Sequence, residues 1–230
     1  MDKFFEISIL PAVMTLSVFM LGKLCHNKWK LAIFNPTLIG SVLIIVLLML
    51  TGMDTETYQS GVKVLSWLMT PATISLAIPM YEQFQVLKKN LAAIAAGIAA
   101  GALVSLVFLT FSGILLQLDP TLTVSLMPKS VTTAIGMPLS ELFGGQAGIT
   151  TAAIIITGIS ANMLGPTFCK WFRIKDEIAQ GVAFGTAGHV IGTARANELS
   201  PLTGAVSSLS LVVAGLLTAV LFPLFVQLLQ

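Results

Sequence analysis

The sequence predicts an all-α, polytopic membrane protein whose apolar segments are interrupted at a few polar positions. Of its 230 residues, 56% are hydrophobic and only 10% are charged, and the mean hydropathy is +0.94. A soluble domain carries about 25% charged residues, so this chain has too few charges to cover a surface that faces water. Apolar stretches of about 20 residues then predict membrane spans along the chain.

The predicted elements follow one another with no polar stretch long enough for a soluble domain. The clear spans are Phe4–Leu24, Pro36–Met53, Leu91–Leu116, Gly148–Cys169 and Thr203–Leu228. Three other stretches are apolar but interrupted: Gly61–Met80, Leu122–Leu142 and Ile178–Ala196. We therefore expect a single integral membrane domain over residues 1–230 with about 7–8 membrane segments, some of them broken or re-entrant.

Helix starts and close helix contacts have their own sequence signals. Four pairs place a capping side chain before a proline: Asn35-Pro36, Thr70-Pro71, Asp119-Pro120 and Ser200-Pro201. The first residue of each pair can accept from free N–H groups, and proline fits the first helical position. Gly97 and Gly101 form a small-xxx-small face, which predicts close packing against another helix.

Loop charges set the expected topology. Basic residues cluster after the first span, after Gly61–Met80 and after the span that ends near Cys169: Lys23, Lys28, Lys30, Lys88, Lys89, Lys170, Arg173 and Lys175. The positive-inside rule assigns these loops to the cytoplasm. The segments Asp54–Ser60 and Gln117–Thr121 carry acidic but no basic residues, so we expect them outside.

This topology leaves Leu122–Leu142 with both ends outside, so it cannot be a simple span. We expect a re-entrant hairpin, because broken backbone at membrane depth is tolerated where protein encloses it. The alternative is that one loop violates the charge rule. Ile178–Ala196 begins inside and is too rich in glycine for an uninterrupted helix; the sequence leaves open whether it spans or re-enters.

Two of the interrupted stretches resemble each other. Residues 71–80 align without gaps on residues 128–137, with Pro, Ala, Ile and Met coinciding. The alignment predicts repeat units around 61–116 and 122–170, and repeats with broken segments are typical of transporters that bind substrate at the breaks. The alternative is chance, because small-residue membrane segments look alike.

The first candidate binding patch is the run Pro128, Lys129, Ser130, Val131, Thr132, Thr133. We expect Pro128 to begin a half-helix whose free N–H groups attract an anion. Lys129 is disfavoured there by the helix dipole and by a cost of about 3 kcal/mol at membrane depth, so a bound anion would explain it. The alternative is that Lys129 reaches out to the membrane interface. The candidate binding residues are Pro128, Lys129, Ser130, Thr132 and Thr133.

The second patch is Gly185–Arg195, with candidates Gly188, His189, Gly192, Thr193 and Arg195. The glycines permit close backbone approach. His189 is either a functional group or a hydrogen-bonded core residue. Arg195 pairs with a substrate carboxylate, pairs with Glu198 or marks the segment end. The hydroxyls of Thr73 and Ser75, which the alignment places opposite Ser130 and Thr132, and the amide of Asn162 are further candidates.

Enzymatic and nucleic-acid functions find no support in the sequence. There is no Walker motif, no dinucleotide fingerprint and no complete nucleophile elbow, so we expect no catalytic activity, cofactor or metal. The net charge of +2, without a basic run that has interleaved aromatics, argues against a nucleic-acid partner.

The stretches Pro128–Thr133 and Gly188–Ala194 resemble motifs of the LrgB/CidB family. The resemblance implies an inner-membrane protein of bacteria, a separate small LrgA-like membrane protein as partner, and a homo-oligomer. It implies two functions: holin/antiholin-like control of murein hydrolase export and cell lysis, or transport of small carboxylates, as in bacterial pyruvate uptake and the plastidial glycolate/glycerate translocator. Ala134 departs from the family, where proline often follows the two threonines.

The transporter interpretation accounts for the breaks, the repeat, Lys129 and His189 together. We predict secondary transport of a small monocarboxylate anion, similar to pyruvate or glycolate, which binds at the broken helices near mid-membrane. The alternative is a holin/antiholin-like pore or regulator.

Overall fold

The structure, a computed structural model, describes residues 2–29 and 36–229 of the chain. All the regular elements within these residues are helices, and no strand occurs among them, so the all-α prediction is confirmed. The helices form two compact units, Met1–Ser75 and Leu76–Gln230.

The first unit contains α1 (Asp2–Trp29), α2 (Pro36–Thr51), α3 (Thr55–Gly61) and α4 (Lys63–Ser75). Tyr58 of α3 shares a hydrogen bond of 2.8 Å with Thr15 of α1. Asp54 caps α3 by accepting from the backbone N–H of Thr57 at 2.6 Å, and this bond lowers the pKa of the Asp54 carboxyl. Lys30 and Asn35, which carried part of the topology and helix-start predictions, lie outside the described residues.

The second unit begins with two short helices and continues with longer ones. Its helices are α5 (Ala77–Glu82), α6 (Phe84–Lys89), α7 (Leu91–Leu115), α8 (Pro120–Leu126), α9 (Thr133–Leu142), α10 (Ala147–Trp171), α11 (Glu177–Leu199) and α12 (Pro201–Gln227). Asp119 caps α8 and Ser200 caps α12, each just before a proline at the first turn, as predicted. The expected start at Thr70-Pro71 is wrong, because Pro71 lies inside α4.

Five stretches of helix in the described residues are long and apolar enough to cross a membrane: Ile9–Trp29, Lys63–Glu82, Leu91–Leu115, Ala147–Trp171 and Pro201–Gln227. Four of them coincide with predicted clear spans. α2 is apolar but has only 16 residues, about 24 Å of helix, which is shorter than a bilayer core of about 30 Å. Together these stretches make the chain a multi-pass membrane protein.

A helix–break–helix hairpin, the first hairpin, occupies residues 120–142. Thr123 of its first helix, α8, contacts Gly113 of α7, and Ser130, further along the chain, forms a hydrogen bond with Ser105, which is earlier in α7. α8 therefore runs antiparallel to α7. α9 then returns along α10, where the Thr150 hydroxyl donates to Ser140 Oγ at 2.7 Å. Neither helix is long enough to span a membrane, which agrees with the hairpin expected for Leu122–Leu142.

α8 runs back along α7 and α9 runs back along α10, so the first hairpin starts and finishes at the same end. The backbone N–H of Gln146 donates to Ser125 Oγ at 2.7 Å, which joins the residue before α10 to α8. The hairpin therefore enters and leaves the second unit at one end, and its tip, residues 127–132, points into the interior.

A second hairpin occupies residues 177–199, where α11 is broken at His189. We call its halves α11a (177–188) and α11b (190–199). A Cβ added at Gly181 would meet Thr203 O at 2.7 Å, and one at Gly185 would meet Ser210 Cβ at 2.6 Å, so α11a runs parallel to α12.

α11b runs the opposite way along α12. Thr193 shares a hydrogen bond of 2.8 Å with Ser207, whereas Asn197, further along α11b, packs against Gly204, which is earlier in α12. A Cβ at Gly192 would also come within 2.5 Å of Phe184 O, so the two halves lie against each other. The sequence left open whether Ile178–Ala196 spans or turns back, and the structure has it turning back.

The second hairpin enters from the end opposite to the first. Gly165 of α10 contacts Phe184, and Gly158, earlier in α10, contacts His189. α11a therefore runs antiparallel to α10 and begins near the C-terminal end of α10. Leu199 returns to that end, where it lines a cavity together with Arg173. The two hairpins therefore point their tips at each other.

The proposed repeat of 61–116 and 122–170 is not confirmed. Its alignment pairs Pro71, inside the continuous helix α4, with Pro128, which lies in the break between α8 and α9. The two segments thus differ in shape at the position where they match best in sequence.

Cysteine labelling in cells tests the hairpins. In a background with Cys25→Ser and Cys169→Ser, we expect Leu122→Cys and Glu141→Cys to react with an impermeant maleimide from one side. Glu177→Cys and Glu198→Cys should react only from the other side. Labelling of Leu122→Cys and Glu141→Cys from opposite sides would make 120–142 a span and contradict the fold.

Candidate functional site

The tips of the two hairpins meet in the middle of the second unit. Ser130 and Val131 of the first tip and Thr186 of α11a line one small cavity, together with α7 and α12. Its volume is about 10 Å³, which is room for about one water molecule. The two candidate patches found in the sequence are therefore neighbours in space.

α7 contacts both hairpins on adjacent turns. A Cβ at Gly101 would lie 3.1 Å from Thr186 Oγ1, and one at Gly97 would lie 3.1 Å from Val182, so the predicted close packing at Gly97 and Gly101 is confirmed. One turn further along, Ser105 Oγ lies 3.2 Å from Ser130 Oγ. The series 97, 101, 105 thus forms a polar and small stripe that receives both hairpins.

Ile154 of α10 is a second meeting point. A Cβ at Gly136 of α9 would lie 2.7 Å from the Ile154 side chain. The Ile154 carbonyl oxygen lies 2.9 Å from Nε2 of His189, at the tip of the second hairpin. One residue of α10 thus contacts both hairpins at the same level.

Lys129 is half-buried at the first tip. Its ammonium group donates to Ser130 Oγ at 3.2 Å. Within residues 2–29 and 36–229, no carboxylate lies within 4.0 Å of it, and the ion pair found in that range joins Arg195 to Glu198. A cation held at this depth by a neutral hydroxyl can still accept an anionic partner.

The positive helix end at the first tip belongs to Thr133, not Pro128. α9 begins at Thr133, five residues after the predicted start, because Pro128 and the residues after it form turns. Thr132 stands at the cap position with an extended backbone, but its side chain makes no capping hydrogen bond. The first N–H groups of α9 therefore face the tip without a side-chain acceptor.

His189 is the break of the second hairpin. Its φ of 42° and ψ of −134° lie outside the helical region and in the left-handed half of the map, which costs a side-chain-bearing residue about 1–3 kcal/mol. The ring is 4% exposed, and Nε2 bonds the Ile154 carbonyl, which requires the proton on Nε2. Gly158 supplies the space: a Cβ there would lie 2.7 Å from the ring.

Other predicted residues support this break. The Thr193 hydroxyl donates to His189 O at 2.8 Å, and the Asn162 amide donates to Ile191 O at 3.0 Å. Gly188 packs against Ala161, and Gly192 allows the two halves to touch. Both acceptor carbonyls lie at the start of α11b, so these hydrogen bonds hold its first turn in place.

Three predicted residues lie away from the tips. Arg195 is on α11b, about 9 Å along the helix from His189, and pairs with Glu198, one of the alternatives that the sequence left open. Thr73 and Ser75 belong to the first unit. Their hydroxyls are exposed and donate to carbonyl groups of their own helix.

Sequence reasoning missed Ser105 and Thr186, which bring α7 and α11a into the site. Extending the Gly97–Gly101 spacing by one turn would have found Ser105. Thr186 follows Gly185 in the second patch, but nothing in the sequence indicates that it faces α7. No group of three His, Cys, Asp or Glu side chains in the described part of the chain could hold a metal ion.

Comparison with known proteins decides the family. The model of the LrgB-like family matches residues 15–228. The chain belongs to the LrgB-like family. It is 37% identical over 219 residues to the antiholin-like protein LrgB of Bacillus subtilis strain 168, covering 94% of each chain.

Other relatives of the LrgB-like family match over a similar length. An uncharacterized protein of the same Bacillus subtilis strain, YwbG, is 34% identical over 212 residues, which are 92% of this chain and 94% of that one. The antiholin-like protein LrgB of Bacillus mycoides is 36% identical over 214 residues, covering 93% of each chain. No solved structure matches the chain significantly.

A pair of glycine substitutions in α10 tests the His189 break. We expect Gly158→Ala to destabilise the protein by about 1–3 kcal/mol, because the new methyl group would collide with the His189 ring. Gly148→Ala should be neutral or stabilising by up to about 1 kcal/mol, because nothing lies within 4 Å of its Cβ position. The readout is the thermal unfolding midpoint in detergent, and equal midpoints for the two variants would contradict the packing.

Proposed function

We propose that the protein is a secondary transporter of small monocarboxylates, similar to pyruvate or glycolate, which bind between the two hairpin tips. The observation that carries the proposal is Lys129, a cation without an ionic partner in the described chain, which donates to Ser130, a residue that lines the cavity where two hairpins from opposite ends meet. Transporters built from broken helices bind substrate at such midplane breaks.

The chemistry of the tips suits a carboxylate. The N-terminus of α9 at Thr133 and the N-terminus of α11b after His189 both begin at the tips, and helix N-termini attract anions. Lys129 adds a full positive charge, and Ser130 adds a hydroxyl donor. We assign carboxylate binding to Lys129, Ser130, Thr132 and the first turn of α9, with His189 shaping the opposite wall.

The described state is closed. A cavity of about 10 Å³ holds about one water molecule, so a three-carbon acid enters only when the tips separate. The hairpins reach the site from opposite ends, so separating one tip at a time opens the site to one side at a time. This is alternating access by movement of a hairpin against α7, α10 and α12.

The order of the helices also supports transport by alternating access. Residues 120–171 form a hairpin followed by a long helix, and residues 177–227 form a hairpin followed by a long helix in the opposite sense. Inverted units of this kind are common in transporters. In the proposed topology α1, Lys63–Glu82, α7, α10 and α12 cross the membrane. α2, although only 16 residues long, also crosses, because only then do the basic residues after α1 and at the end of α6 face the same side. With the two re-entrant hairpins this makes eight membrane segments.

The setting is proposed from the family. We place the protein in the bacterial inner membrane, with the basic ends of α6 and α10 in the cytoplasm. A small LrgA-like membrane protein is its expected partner, and a homo-oligomer its expected state. No catalytic role is proposed.

A second candidate function is favoured by the names of the relatives. Several of them are called antiholin-like proteins, which makes regulation of lysis an alternative. That function predicts altered lysis or ion leakage on expression, independent of carboxylates and of the charge on Lys129.

Uptake by proteoliposomes tests the transporter proposal. With an LrgA-like partner present, we expect labelled pyruvate or glycolate to accumulate. Lys129→Met should reduce uptake at least tenfold, because a hydrogen bond to a charged group contributes about 1.5–3 kcal/mol. Lys129→Arg should retain part of the activity, since it keeps the charge.

The matched control is Lys88→Met, which removes an exposed lysine at the end of α6 and should leave uptake unchanged. Folding of every variant is checked by its elution profile and thermal midpoint. A folded wild-type protein that moves neither acid, or a Lys129→Met variant as active as the wild type, would refute the proposal.

A further inference from the structure

A large apolar groove lies on the second unit, separate from the small cavity between the hairpin tips. It has a volume of about 440 Å³ and runs between α10 and α11a. Large side chains line it at Leu164, Phe168 and Phe184, and small ones at Ser160, Ala183 and Ala187. Its volume is in the range of ligand sites, about 300–1,000 Å³.

The groove continues into a basic pocket at the C-terminal end of α10. This pocket has a volume of about 410 Å³ and is lined by Lys170, Arg173, Lys175 and Gln180. The two cavities share Cys169 and Ile174, so one long depression is apolar at one end and positively charged at the other. No carboxylate lines the basic pocket.

The aromatic residues beside the pocket indicate its depth in the membrane. Trp171 and Phe172 are 77% and 68% exposed, and both rings lie next to Phe168, with centroids 6.3 Å and 6.2 Å away. Tryptophan is enriched at the membrane–water interface, where lipid phosphates lie. The basic pocket thus lies at headgroup level and the groove at acyl-chain level.

The backbone at Arg173 points to a use for its side chain. Its φ is 56°, and it follows α10 in the position that usually takes glycine, with Ile174 N–H donating to Cys169 O at 2.8 Å. Gln180 fixes the same turn by donating to Ile174 O at 2.8 Å. A basic group at a helix C-terminus interacts well with the dipole, which explains Lys170 but not an arginine in a strained position.

The two nearby acidic side chains, Asp176 and Glu177, form no ion pair with the basic residues of the pocket. Asp176 accepts from the backbone N–H of Ala179 at 2.8 Å as the cap of α11. Within residues 2–29 and 36–229, Lys170, Arg173 and Lys175 form no ion pair with a carboxylate. The three basic side chains therefore remain available to an external anion.

We propose that this depression binds an anionic phospholipid, with the phosphate on Lys170, Arg173 and Lys175 and an acyl chain in the groove between α10 and α11a. Basic pockets between helices on the cytoplasmic side recognise anionic headgroups in this way. The apolar groove selects a lipid over a free phosphate, because a free ion would leave it uncovered. A lipid wedged there contacts α11a, the outer wall of the second hairpin.

Native mass spectrometry of the full chain tests the proposal. Delipidated protein is titrated with phosphatidylglycerol, phosphatidylethanolamine or inorganic phosphate. We expect phosphatidylglycerol to bind at least tenfold more tightly than phosphatidylethanolamine, and millimolar phosphate not to displace it. Lys170→Gln with Lys175→Gln should weaken phosphatidylglycerol binding on the order of tenfold.

Two further variants separate charge from shape. Arg173→Gly removes the charge but suits the positive φ, so it should weaken binding about fivefold without lowering the thermal midpoint. Ala187→Phe fills the groove with no change of charge and should also weaken binding. The control, Lys88→Gln with Lys89→Gln, removes two exposed basic residues at the end of α6 and should bind as the wild type does.

Several outcomes would overturn the proposal. They are equal affinity for phosphatidylglycerol and phosphatidylethanolamine, displacement by inorganic phosphate, or equal losses in the pocket and control variants. Unchanged binding in folded Ala187→Phe would show that the groove takes no acyl chain and would likewise reject it.

Discussion

The second unit depends on the protein contacts that enclose its two helix breaks. Inside a membrane no water is available, so broken backbone is stable only where protein encloses it. At the second break, Thr193 donates to His189 O and Asn162 donates to Ile191 O. Side chains from α10 and from α11b itself thus hold the first turn after the break in place. Where the first hairpin closes, Ser125 accepts from the backbone of Gln146, just before α10. α10 and the residue before it thus form hydrogen bonds with both hairpins, which places α10 between them.

Glycine determines how close the elements come. A Cβ at Gly185 would overlap the backbone of α12 at Ser207, and one at Gly192 would overlap Phe184 O. With these glycines, α11a and α11b lie against each other and against α12, so the hairpin fits between longer helices. Gly158 serves a different purpose, because it makes room for one side chain, the His189 ring. The same residue type therefore supports packing at one place and a single strained residue at another.

Composition and periodicity could predict the all-helical class, most of the long spans and a break in each polar stretch, because these follow from local sequence. The charge rule also predicted the first hairpin, since alternating loop signs left Leu122–Leu142 without a way across. The exact break points could not be read in the same way. Pro128 lies in the turn and not at the helix start, and Pro71 is accommodated inside α4. His189 takes a positive φ only because Gly158, Thr193 and Asn162, distant in sequence or across a turn, stabilise it.

The environment of Lys129 also bears on the choice between a carrier and a pore. A permanently open aqueous lumen would hydrate the ammonium group, and the protein would not need to enclose it. In the described state Lys129 is half-buried, and Ser130, the hydrogen-bond partner of its ammonium group, lines a cavity with room for about one water molecule. Enclosing a cation in this way costs free energy that water does not repay, whereas an arriving carboxylate would. The closed site is high in free energy when it is empty, and a bound carboxylate would neutralise its charge. Closure is therefore more favourable with substrate bound, as alternating access requires. Under the proposed function, the environment of Lys129 fits a carrier better than a channel.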